Sequence, residues 1–110
     1  MILISKYIVP KGYTGIALYP FIFLVNSKLK LNKTLINHEK IHLRQQLELL
    51  IVLFYVWYII EFLVRLMQYR QWNIAYKNIS FEREAYINEH NTTYLKNRKF
   101  WGFLKYLRVE

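Results

Sequence analysis

The chain has 110 residues, 55% of them hydrophobic and 18% aromatic, with 3 Gly, 2 Pro and no Cys. That length suits a single domain, and the composition excludes collagen-like, disordered, disulfide-stapled and thiolate-metal classes. Sixteen Lys and Arg against seven Glu, with no Asp, give a formal charge of +9, the kind of excess that draws a chain to anionic partners.

The charge is unevenly placed. Residues 1–37 carry five Lys and no acid; residues 38–90 carry six cations and six Glu; residues 91–110 carry five cations and Glu110. The excess belongs to the two flanks, and all but one of the carboxylates lie in the middle.

In chain order, residues 1–9 are apolar but lack the basic start and small-residue cleavage site of a signal peptide. Tyr13 to Val25 is aromatic and β-branched, which predicts one or two short strands with Pro20 at an edge or a hairpin turn. Lys28 to Lys33 reads as a polar connector. Thr34 is the expected N-cap of a long helix running without Gly or Pro to Met67 or Tyr69. Leu47 to Val64 holds 16 apolar residues of 18. Its uncharged core, Leu49 to Ile60, covers about 18 Å against ~30 Å of hydrocarbon, so a membrane span and a buried core helix both fit. Glu61 can pair with Arg65 one turn on. Lys and Arg flank both ends, which gives no orientation. After a break over Arg70 to Asn78, Ser80 is the expected N-cap of a second helix reaching Glu89. From Thr92 onward, cationic and aromatic residues alternate through Arg108. That pattern reads as an amphipathic helix suited to anionic lipid through Trp101, Tyr106 and the cations, or as a basic helix packed on the domain.

The chemistry concentrates in His38-Glu39-Lys40-Ile41-His42, an H-E-x-x-H pattern on the predicted long helix. At about 100° per residue, His38 and His42 stand one turn apart on one face, where two imidazoles can hold one metal ion, usually zinc. Glu39 lies about 100° to the side, the position of a base that takes a proton from a metal-activated water. A catalytic zinc wants a third protein ligand, and the downstream candidates are Glu61, Glu82, Glu84, Glu89 and His90. Glu61 would be roughly 28 Å from His42 on a straight helix and cannot close the site.

The motif, followed 40 residues after His42 by Phe81-Glu82-Arg83-Glu84-Ala85, resembles the gluzincin zinc metalloproteases, most of all the HtpX-like membrane peptidases. The resemblance implies Glu82 as third zinc ligand, Glu39 as general base and Ala85 as a small residue packed on the motif helix. Tyr86 stands where that family has Asp. The extension His42-x-x-Gln45 also resembles small zincin-like domains with an H-E-x-x-H-x-x-Q signature. In zincins an edge strand ahead of the motif helix pairs with extended substrate, and Tyr13–Val25 is in the right place for it.

Lesser candidates surround these. Gln45 shares the histidine face and can hydrogen-bond a ligand. Glu84 is a supporting partner or, by preference, a solvated helix residue. Tyr86 and His90 share a face with Glu82 and could stabilise an oxyanion, with His90 also an alternative third ligand. Trp57 and Tyr58 read as core or lipid contact. The expectation is a single mainly α (α+β) zincin-like domain, residues 1–110, with a short N-terminal β element, a long motif helix, a second helix carrying Glu82 and a C-terminal amphipathic helix. Its expected function is a zinc-dependent, membrane-associated peptidase acting on peptide or protein substrates. It is cytoplasmic if the apolar helix is buried. The alternative is a non-enzymatic membrane-associated protein with a structural or vestigial metal site; binding to nucleic acid is disfavoured, since no recognition motif accompanies the basic flanks.

Overall fold

A computed structural model describes residues 1–107. The aromatic stretch forms the expected hairpin: β2 (Gly15–Leu18) and β3 (Phe21–Leu24) are antiparallel, joined at Tyr19-Pro20. The apolar N-terminus adds β1 (Ile2–Ile4), parallel to β3, so the sheet order is β1-β3-β2. Alternation puts Ala17, Ile22 and Leu24 inside, where the sheet meets the first helix. The connector holds a 3-10 turn, Ser27–Leu31.

The single long helix is two. α1 spans Lys33–Glu48 and α2 spans Val52–Tyr69, separated by a reversal at which Leu50 and Ile51 take positive φ. No Gly, Pro or Asn marks this turn, which is why the apolar pattern reads straight through it. The N-cap of α1 is Asn32 rather than Thr34; its side chain accepts from the Leu35 N–H at 3.1 Å. The expected break after α2 contains a short helix, α3 (Trp72–Lys77). By length and composition α2 could cross a membrane.

α4 spans Ser80–Asn88 and begins one residue earlier than expected, with Ile79 at the cap position and Ser80 inside. The orphan donors of its first turn find Glu61 of α2, which accepts from both the backbone N–H and the hydroxyl of Ser80. Glu61 also pairs with Arg65 at 3.6 Å, and both are buried. Next to Ser80, Phe81 is fully buried among Phe54 and Phe103, with ring centroids 4.5 Å from each. Glu61 and Phe81 together hold the first turn of α4 in place, and Glu82 is the next residue.

Among the described residues the C-terminal amphipathic helix is not formed. A four-residue helix, α5 (Tyr94–Asn97), leads through an extended Arg98 to a 3-10 turn over Gly102–Tyr106. Trp101 and Phe103 turn inward against Trp57, and Arg98 is buried between carboxylates. Those partners hold the segment irregular. Arg108 lies outside the described residues.

Glu61→Ala would leave the Arg65 charge buried without its carboxylate and the Ser80 N–H without an acceptor, and is expected to cost about 3 kcal/mol or more in chemical denaturation. Adding Arg65→Met should recover part of that loss, because no unpaired charge then remains.

Candidate metal centre

The buried face of α1 is polar. Asn37, His38, Glu39, His42, Gln45 and Gln46 are all buried there, with Ile41 the one aliphatic among them. Every such group needs a partner, and the partners define the site. His38 Nε2, His42 Nε2 and Glu82 Oε1 converge: the two nitrogens are 3.2 Å apart, and Glu82 Oε1 is 3.4 Å from His38 and 3.1 Å from His42. Tetrahedral ligands at zinc bond lengths of about 2.0–2.1 Å stand about 3.3 Å from one another. The three residues therefore fit a zinc ion, and their donor set, two imidazoles and a carboxylate, is one zinc commonly takes.

The outer nitrogens fix the tautomers. His38 Nδ1 lies 2.7 Å from Glu89 Oε1, and His42 Nδ1 lies 2.8 Å from Gln45 Oε1. The Gln45 amide cannot be turned round, because its nitrogen donates to Phe81 O at 3.1 Å and to Glu84 Oε1 at 2.8 Å. Its oxygen must then accept, so His42 Nδ1 carries the hydrogen and Nε2 is left to face the centre. Glu84 is fully buried, contrary to the solvated role preferred for it. It takes hydrogen bonds from Tyr94 Oη and from Arg98, which also reaches Glu48 Oε2 at 2.5 Å. Gly102 allows this closeness, since a Cβ there would lie 3.1 Å from Glu84 Oε2. Asn37 holds the far end of α4 by donating to the carbonyls of Asn88, Glu89 and Asn91, which brings Glu89 to His38.

Glu82 sits in the first turn of α4, where the helix dipole favours a carboxylate. Its second oxygen accepts from Tyr58 Oη at 2.6 Å, so Tyr58 orients the Glu82 carboxylate rather than serving as core packing alone. Ten tyrosines with no spacing rule gave no signal for it. Burial pushes the Glu82 carboxyl up, but the two imidazoles pull harder and leave it well below the usual range. Burial lowers His42, yet the charge and hydrogen bond of Glu82, with Glu39, raise it to about 9.

Beside the candidate ligands lies a pocket of about 350 Å³ with Glu39, His42 and Glu82 in its wall, closed by β2, by Tyr55 and Phe62 of α2, and by Trp72 and Tyr76 of α3. Among the described residues no hydrogen bond engages the Glu39 carboxylate. Burial raises its pKa, with His42 and His38 opposing. Tyr76 is a phenol the sequence reading missed; burial and then the charge of Glu82 hold it well above its ordinary range, so it stays a donor. Tyr86 packs its ring edge-on to His38, with centroids 4.6 Å apart, and edge-on to Tyr76. His90 is not in the site. It falls beyond the end of α4, largely exposed, 3.6 Å from Glu89 and 3.5 Å from Thr34. It is therefore neither a ligand nor an oxyanion donor.

The edge strand is narrower than expected. β2 directs the backbone groups of Gly15 and Ala17 away from β3. Gln46 takes the Ala17 carbonyl and the Tyr19 N–H, each at 2.7 Å, and Tyr55 Oη adds a 3.3 Å bond to Ala17 O. Gly15 remains open, and a Cβ there would lie 3.6 Å from Glu39 Oε2.

No family model matches the chain, and no curated protein or solved structure is significantly similar to it. The function must be argued from this geometry.

A zinc ion held at this centre would have to displace the His42 proton. Its apparent affinity is expected to rise about tenfold per pH unit from pH 7 to about 9 and then level off, with proton release near pH 7; chelator competition across that range measures it, and a flat profile would remove His42 from the ligand set. Gln45→Leu, which leaves His42 Nδ1–H without its acceptor, should weaken zinc by about 10–100-fold in the same assay.

Proposed function

We propose that the chain is a small zinc-dependent metallopeptidase that works at a membrane. His38, His42 and Glu82 hold the metal, and Glu39 is the general base. The observation that carries this reading is the close triangle of two imidazole nitrogens and one carboxylate oxygen, set beside a buried carboxylate that no hydrogen bond among the described residues engages.

When bound, zinc supplies a Lewis acid that lowers the pKa of water toward neutrality and polarises a carbonyl. The chain's own residues do the rest. Glu39 takes the proton from the attacking water and returns it to the leaving amine, and a pKa raised by burial suits both transfers. Tyr76, kept protonated, can donate to the carbonyl oxygen as charge builds on it. The open backbone of Gly15 offers one rung of β pairing to an extended peptide beside Glu39. The aromatic walls exclude water and take apolar side chains.

One observation favours the second reading, a structural metal in a non-enzymatic protein: all three ligands are only 3–6% exposed. The pocket at Glu39 favours the enzyme. Glu39→Gln separates them. Zinc content is expected to stay near one per chain, while cleavage of a fluorogenic peptide mixture falls by about 100-fold or more. If the zinc-loaded wild type cleaves nothing, the structural reading stands.

A further inference from the structure

The α2 helix has two unlike sides. One is packed along its length: Phe54, Glu61 and Arg65 are buried, Glu61 holds Ser80, and Arg65 Nη2 donates to Leu107 O at 2.6 Å. The other carries Val52, Val56, Leu63 and Met67 along its centre, with Ile59 on one flank and Leu53, Ile60 and Val64 on the other. These eight are between 46% and 79% exposed. At about 100° per residue the arc from Ile59 round to Val64 is about 140°, and every residue within it is aliphatic.

We infer that this arc docks in the plane of an anionic lipid bilayer, immersed to about half the helix, and does not cross it. Three observations choose that occupant. First, a helix partner would use a narrow seam flanked by charges. Taking Val52, Val56, Ile59 and Leu63 as the seam, the neighbours Leu53, Ile60 and Met67 on one side and Tyr55 and Phe62 on the other include no charge. Second, the side bearing Glu61 and Arg65 is covered by the body of the domain, through Ser80, Leu107 and the aromatic core, so lipid can reach only one face. Third, the surroundings match a headgroup layer. Segment 101–107 runs beside α2, with the Trp101 ring 6.4 Å from Trp57 and Leu107 at Arg65. Along and just before it, Phe100 and Leu104 are exposed, as are the cations Lys99 and Lys105, while exposed Arg70 caps the far end of α2. Apolar and aromatic groups fringed by cations, on a chain of net charge +9, fit anionic lipid.

This deepens the membrane part of the proposed function and does not depend on the metal. It also orients the site: Tyr55, in the pocket wall, is about 40° round α2 from Ile59. The pocket therefore lies one strip of side chains from the lipid, and its substrates are peptide segments lying at the bilayer surface.

The test uses the full chain, with and without zinc. Flotation is expected with vesicles of phosphatidylcholine containing about one third phosphatidylglycerol, and to fall at least tenfold in pure phosphatidylcholine. Val56→Glu/Ile60→Glu, on the exposed face, should keep the circular dichroism spectrum and lose flotation at least tenfold. Because the chain has no Cys, labels at Val52→Cys, Ile60→Cys and Met67→Cys can report depth one at a time. Equal shallow depths support in-plane docking; a deep Ile60 with both ends at opposite surfaces overturns it. A stable dimer in sedimentation that is lost in the double Glu variant, with no flotation of the wild type, overturns it in favour of a second copy. Flotation without peptidase activity leaves this surface standing and removes only the enzyme reading.

Discussion

The fold is organised around a helix that buries polar atoms. A buried face made of two histidines, two glutamines, an asparagine and a glutamate contributes little hydrophobic gain, and each unsatisfied group would cost on the order of 1–3 kcal/mol. The remaining elements satisfy that face one partner at a time. The β2 edge meets Gln46, the first turn of α4 meets His42 and Gln45, and its far end meets His38 and Asn37. Where the partners run out, at Glu39, a pocket begins. Tertiary structure and site are therefore one network.

Much of the site was legible because a five-residue motif on a helix has fixed geometry. His38, Glu39 and His42 need only α1, and α1 is secure from its sequence. Glu82 was reached by resemblance and Gln45 by its place on the histidine face. The supporting partners were not legible in the same way. Glu84 looked solvated because nothing local indicated that Arg98, 14 residues on, would turn inward to it. Tyr58 was hidden by the reversal at Leu50 and Ile51. With α1 and α2 read as one rod, α2 pointed away from the motif, and no residue on it could be assigned to the metal. His90 lies outside the site for a simple reason: the helical periodicity that puts it on the face of Glu82 holds only to Asn88, where the helix stops.

The hairpin, α1 and α4 follow from local pattern, whereas the C-terminal segment does not. Its alternation of cations and aromatics is compatible with an amphipathic helix, but the buried demands of Glu84 and Glu48 for a cation, and of the Phe81 cluster for Phe103, outweigh helix propensity there. A segment that looks like a surface tail in the sequence is thereby the counter-charge of the layer behind the candidate ligands.

Gln46 has a consequence beyond the site. An outer strand with free amides and carbonyls invites any extended chain to add to the sheet, including another copy of the same protein. Here a side chain from α1 occupies those groups at Ala17 and Tyr19 and leaves the rung at Gly15. A visiting backbone gains too few hydrogen bonds to be held without regard to its side chains. The β2 edge is guarded against indiscriminate growth, and selectivity there passes to whatever the aromatic walls accept.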